Sequence, residues 1–142
     1  MLARRELSER QVRQRLARKG HEPEAIDDAV ARLIEQRAID DTRVAEAIAR
    51  TETTVRKRGK VRVRMQIERA GISRATASRA IDQAFDGIDD DALLEASLAK
   101  RLRGRETVAD DREFQRLYRY LVAQGFDSDR ALKALNLRKR PR

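Results

Sequence analysis

Apolar residues recur along this chain at the i, i+3, i+4, i+7 spacing of helices with one buried face. The segment Ile26, Ala29, Val30, Leu33, Ile34 is one such stripe, and Pro23 suits the first turn of the helix that carries it, over about 23–36. Ahead of it, Val12 and Leu16 lie one turn apart between Ser8 and Gly20. Ser8 is placed to cap a helix to Lys19, with Gln11 at the capping-box position. Gly20 supplies the left-handed stop. IDDTRVAEAIA (39–49) opens a third helix, capped by Asp40 or Asp41, with Val44, Ile48 and Val55 facing inward.

The cycle then restarts. Gly59 breaks the chain, and Val63 and Ile67 stand in a fourth helix (60–70) where Val12 and Leu16 stood in the first. VRVRM (61–65) alternates like a strand, the one place where the helix expectation is exposed to failure. Gly71 follows as Gly20 did. Ser73 caps a fifth helix with Ala77, Ala80, Ile81, Ala84 and Phe85 on one face, and Gly87 ends it. IDDDALLEASLA (88–99) echoes IDDTRVAEAIA. A third start falls at Asp110, with Glu113 at the capping-box position and Phe114, Leu117, Tyr118, Leu121 and Val122 as the most apolar stripe. Gly125 and Phe126 follow, then a short helix capped by Asp127 or Ser128 and running to about Leu135.

VRQRLARKG (12–20) therefore returns as VRMQIERAG (63–71) and, more loosely, as LYRYLVAQG (117–125). The pattern predicts an all-α protein of about eight helices, an elongated array of three tandem three-helix repeats with the last truncated. The boundaries are 1–56, 57–106 with a basic entry, and 107–142 with two helices and a basic tail. A single module buries too little apolar surface to be secure alone, so neighbours must stack or share contacts.

Composition supports thin helical layers rather than one thick core. Of 142 residues 40% are charged and only 4% aromatic, with no Trp. The absence of Cys excludes disulfides and thiolate ligands and suits a reducing cytoplasm. No apolar run reaches the ~20 residues of a membrane span, and the N-terminal residues show no export signal.

Charge changes the picture more. The net +9 is uneven: residues 1–20 carry +5, 21–54 carry −5, 55–74 carry +7 and 75–142 carry +2. RKRGKVRVR (56–64) holds six cations in nine residues without a carboxylate. Such self-repulsion implies a polyanion or an acidic protein surface. The expected binding set is Arg56, Lys57, Arg58, Lys60, Arg62, Arg64, Arg69 and Arg74. A secondary set is Lys19, Arg43, Arg138, Lys139 and Arg140. Replacing Arg58, Lys60, Arg62 and Arg64 by Ala is expected to weaken binding and leave helicity intact.

No constellation for catalysis stands out, so the protein is not expected to be an enzyme, and no cofactor or metal is expected. The single His21 occupies the place of Ile72 and Phe126 and is expected to be a half-buried packing residue. Asp40–Asp41 and Asp89–Asp90–Asp91 recur at helix starts, where the macrodipole accounts for carboxylates. Gly59-Lys60 lacks the glycine spacing of a phosphate loop.

These stretches also resemble the RecX family, regulators of the bacterial recombinase RecA. The resemblance rests on a Ser-headed first helix ending in Lys-Gly (Ser8 to Gly20), DDTRVA (40–45), KRGKVRVRMQI (57–67) with Ala-Gly (70–71), and YLVAQGF (120–126). It covers nearly the whole chain in order. Departures include Val44 for the usual Phe, Gln11 for Glu and Val12 for Leu, with Ala70 and Gln124 where positive charges are usual. The resemblance implies a cytoplasmic, non-catalytic protein of tandem three-helix repeats lying along the groove of the RecA–DNA filament; the protein itself is expected to be a monomer. Blocked filament growth or promoted disassembly would damp recombination, ATP hydrolysis and the co-protease (SOS) response. DNA contact is expected to be weak and without sequence specificity, because few aromatics are available to stack on bases. The competing expectation is a DNA-binding module without a recombinase partner, of helix-turn-helix type or sequence-independent. Helix 73–84, with Arg74, Ser78 and Gln83, is the best candidate recognition helix.

Overall fold

The computed structural model describes residues 6–139. The elements are α1 (Glu9–Arg18), α2 (Pro23–Glu35), α3 (Asp41–Arg50), α4 (Lys60–Arg69), α5 (Arg74–Ala84), α6 (Asp90–Leu102), α7 (Asp111–Ala123) and α8 (Ser128–Asn136). A π-helical turn, Thr51–Val55, extends α3. The protein is all-α, with no strand among the described residues. VRVRM lies inside α4, so helix wins over alternation there.

The helix starts are set by side chains. Ser8 closes a capping box with Gln11. Asp40, Ser73, Asp89, Asp110 and Asp127 each accept backbone N–H bonds at a helix start. The acidic pairs are thus committed to caps and ties. Asp41 accepts from the Glu9 N–H at 2.9 Å, and Asp91 meets Arg130 at 3.2 Å. The Glu113 side chain reaches back to the N–H of Ala109 rather than to that of Asp110.

The chain divides into two compact units, Met1–Ala49 with Arg64–Gln83, and Arg50–Val63 with Ala84–Arg142. In the first, Ile26, Val30 and Ile39 are buried with Val12, Leu16 and Leu33 packed against them. In the second, Leu94, Leu98, Leu102, Leu117, Leu121, Phe126 and Leu135 form the core, together with Val108, Ala131 and Ala134.

Each unit contains the same helix-end contact. In the first unit the start of α1 sits on the end of α4. Ser8 Oγ donates to the Ala70 carbonyl, and Arg10 Nη2 donates to the Arg69 carbonyl at 2.8 Å. In the second unit the start of α4 sits on the end of α7. Gly59 N–H donates to Gln124 O at 2.8 Å, Val61 N–H to Gly125 O at 3.1 Å, and Arg62 Nη1 to Ala123 O at 2.8 Å. A helix's last carbonyls lack intrahelical donors and carry the negative end of its dipole, so N–H groups and arginines are their natural partners. The two contacts share a register: the arginine bonds the carbonyl two residues before the terminal glycine in both. A Cβ on Gly59 would lie 2.5 Å from the Gly125 carbonyl carbon, so Gly59 is a close-approach residue as well as a break between helices. The helix caps Ser8, Gly59 and Asp110 are evenly spaced along the chain. α7, with 13 residues against 10 for α1 and α4, accounts for the later arrival of the third glycine.

Four apolar or ring positions depart from expectation. Val55 is 73% exposed, because the wider π-helical turn shifts the phase of the face and buries Glu52 and Thr53 instead. Ile34 and Val122 lie at the edges of their stripes and are exposed, beside the more inward Leu33 and Leu121. His21 is exposed, whereas Ile72 and Phe126 are buried. The backbone is the same at both ends, since His21 N–H bonds Leu16 O as Phe126 N–H bonds Leu121 O, each at 3.2 Å. Among the described residues nothing lies within 4 Å of a Cβ at Gly20, the end of α1, and His21 is exposed beside it.

Candidate cationic binding surface

The basic entry is shaped by the turn that precedes it. After the π-helical turn, Lys57 takes a left-handed backbone (φ 56°), a conformation that costs a side-chain-bearing residue about 1–2 kcal/mol. The turn is held by Arg58 N–H to Glu52 O at 2.9 Å and by the seating of Gly59 on Gln124. Arg56, Lys57 and Lys60 are thereby left exposed. Their neutralisation is slight: Arg56 Nη1 stands 3.8 Å from Glu52, and the Lys60 ammonium lies 5.4 Å above the Phe85 ring. Burial pushes the Asp90 carboxyl above its ordinary value, against the lowering pull of Lys60 and Arg130.

The other predicted residues have internal work. Arg62 caps the end of α7, as above. Arg58 is half-buried, with Nη1 enclosed and unpartnered among the described residues. Arg64 donates to Ser78 Oγ at 3.0 Å within the first unit. In that unit Arg69, Arg74 and Lys19 are exposed, with no ion-pair partner among the described residues. Arg43 is tied to Glu6 at 2.7 Å and to the Arg37 carbonyl at 3.0 Å. In the second unit Arg138 is locked to Glu95 and the Ala134 carbonyl, and Lys139 lies 5.0 Å over Phe114. Arg140 falls outside the described residues. Removing Arg62 or Arg64 therefore takes away a tertiary hydrogen bond as well as a charge.

The second unit also holds a cationic pocket that the sequence reasoning missed. Lys100, Arg101, Arg103, Arg105 and Arg116 line it with Leu117, Tyr120 and one carboxylate, Glu113; its volume is about 590 Å³. Arg101 lies 3.9 Å over the Tyr120 ring, and Arg103 is left-handed at φ 52°. Arg105 holds Glu113 by paired bonds of 2.9 and 2.7 Å, which with the Ala109 N–H lower its pKa to about 2. The signal was KRLRGR (100–105), four cations in six residues, hidden when charge was averaged over 75–142. Tyr120 sits beside it on α7, half-buried rather than free.

Among the described residues no group of His, Cys, Asp or Glu is placed to hold a metal, and no helix is long and apolar enough to cross a membrane. What the surface offers is exposed positive charge on rigid helix ends.

Residues 1–33 match the family model described as RecX, first three-helix domain. The regulatory protein RecX of Halorhodospira halophila is 32% identical over 135 residues, covering 94% of this chain and 81% of that protein. The regulatory protein RecX of Chromohalobacter salexigens is 30% identical, covering 95% and 86%. The crystal structure of RecX from Lactobacillus salivarius superposes with a TM-score of 0.69 at 20% identity, over 92% of this chain and 86% of that one, a likeness of fold. With eight helices among its described residues and relatives of 30–32% identity matched over 81–86% of their length, the chain belongs to the RecX family of regulatory proteins.

Proposed function

We propose that this protein binds RecA and RecA–DNA filaments in the cytoplasm and restrains the recombinase without catalysing a reaction of its own. It limits filament extension or stability, and with them ATP hydrolysis, recombination in DNA repair and the co-protease response that drives SOS induction. The observation that carries this is the exposed cationic turn Arg56–Lys57–Lys60, fixed by backbone bonds to α7 and almost free of neutralising carboxylates. A fixed positive ridge suits the acidic protein face or phosphate chain of a nucleoprotein filament. DNA contact is secondary and backbone-led, and the Arg101–Tyr120 pocket suits a phosphate chain with an unstacked base.

A recombinase-independent DNA reader fits less well. In the best candidate recognition helix, α5, Ser78 is engaged by Arg64, and Ala77, Ala80 and Ile81 are buried. The test is RecA ATPase and strand exchange on single-stranded DNA, with and without the protein. Inhibition is expected, and the variant Arg56→Ala, Lys57→Gly, Lys60→Ala should lose most of it. Lys57→Gly removes a charge while relieving the left-handed strain, so lost inhibition with retained helicity reports binding. Absence of inhibition at any protein ratio, with a footprint on one preferred duplex sequence, would establish the DNA-reader alternative.

A further inference from the structure

Of the three matching helix ends at Gly20, Gly71 and Gly125, two are occupied by described residues and one is not. The end of α4 at Gly71 carries the start of α1, and the end of α7 at Gly125 carries the start of α4. A Cβ on Gly71 would meet the Arg10 side chain at 2.6 Å, and one on Gly125 would meet the Arg62 backbone at 2.5 Å. The end of α1 at Gly20 has the same left-handed glycine (φ 90°), yet among the described residues nothing lies within 4 Å of its Cβ position. Among the described residues the carbonyls of Arg18, Lys19 and Gly20 have no donor, although the counterparts of Arg18 and Lys19 are bonded at both other ends and that of Gly20 is bonded at the end of α7. His21 is exposed where its counterparts are covered.

One helix start is also left over. α7 begins at Asp110, the counterpart of Ser8 and Gly59. Its Asp110 and Arg112 N–H groups have no acceptor among the described residues, whereas the matching N–H groups of Gly59 and Val61 are both bonded to the end of α7. Arg112 lies two residues after its cap, as Arg10 does, and is exposed without a partner among the described residues. The charges match: Arg15, Arg18 and Lys19 crowd the vacant end, while Asp110 and Asp111 stand at the vacant start.

We infer that the end of α1 is a docking site for a second copy of this chain, which inserts the start of its α7. The start of α7 in one copy meets this end as the start of α1 meets that of α4, its Arg112 reaching the Arg18 carbonyl as Arg10 reaches Arg69. Asp111 faces the cluster Arg15, Arg18 and Lys19. The contact joins unlike surfaces, so each added copy presents a fresh vacant start or end and growth is open-ended. A single helix-end contact is small, so copies are separate when dilute and join when crowded or aligned on a common support.

The chain lacks cysteine, which makes thiol cross-linking clean. Ala17→Cys and Ala109→Cys variants place thiols beside the vacant end and the vacant start without altering a charge. A short bis-maleimide should give at least several-fold more dimer from the two variants mixed than from either alone, without recombinase or DNA present. Lys19→Glu in the first variant should lower that yield, and Asp111→Lys in the second should restore it, with helicity unchanged by circular dichroism. Equal yields from mixed and single variants, or a yield indifferent to these charges, would overturn the assignment. Neither outcome touches the proposed action on RecA, which is read in a separate assay.

Discussion

Gly59→Ala is the sharpest perturbation the structure offers. Gly59 is not in the left-handed region, so backbone conformation alone makes the substitution harmless. Its surroundings do not. The new methyl would sit 2.5 Å from the carbonyl carbon of Gly125, nearer still to its oxygen, and 2.8 Å from the Phe126 nitrogen. All three atoms are backbone, so no flexible side chain can give way. Forcing the strands of chain apart costs about 1–3 kcal/mol by the usual penalty for overpacking. It also weakens the bonds from Gly59 N–H to Gln124 O and from Val61 N–H to Gly125 O. Each is worth about 0.5–1.5 kcal/mol net. The expected loss is therefore about 2–6 kcal/mol, read as a lower urea midpoint by circular dichroism at constant slope. Gly87→Ala is the control, because Gly87 has φ 75° but open space around it, and should cost only the ~1–2 kcal/mol of left-handed strain. A Gly59→Ala protein within about 0.5 kcal/mol of the parent, the ordinary range of a neutral surface change, would refute the close-approach argument.

Other outcomes follow from the same contacts. Ser8→Ala removes both the cap of α1 and the bond to the Ala70 carbonyl, and should destabilise by about 1–2 kcal/mol, measured by thermal or urea unfolding. Glu113 is held down to about 2 from an ordinary 4.5, so its stabilising contribution is complete above 4.5 and fades as pH falls toward 2. Glu113→Gln should flatten that part of the acid-unfolding curve, and an unchanged curve would show that the Arg105 pairing contributes nothing. Lys57→Gly alone should raise the urea midpoint slightly; a fall would mean that Lys57 makes a contact worth more than its strain.

Much of this architecture was legible because helix starts and stops are local chemistry. Ser8 with Gln11, Asp110 with Glu113, and the glycines at 20, 71 and 125 announce themselves within a few residues, and the structure places caps and stops there. Phase within a helix was less legible. Val55 reads as buried if the α-helical period is kept, and nothing in TETTV marks the π-helical turn that turns it outward. The role of individual cations was least legible. Arg62 looks like its neighbours in RKRGKVRVR, and only the approach of residues more than sixty positions later reveals it as a donor to the α7 carbonyls. Lys60 and Lys57 stay exposed for the same long-range reason. The pocket at 100–105 was overlooked because a broad charge window cancels four cations against distant aspartates.

The seating of α1 on α4 bears on how such a gene product can be shortened. A fragment stopped at residue 56 keeps three helices but loses Arg69 and Ala70, the carbonyls that receive Arg10 and Ser8. The capping serine, buried in the full chain, would then face solvent with half its bonding gone. Truncations drawn at the apparent module boundary should therefore be less soluble and less helical than ones carried through Gly71 and α5. The grammatical unit of this sequence and the smallest piece that can stand by itself are different lengths of chain.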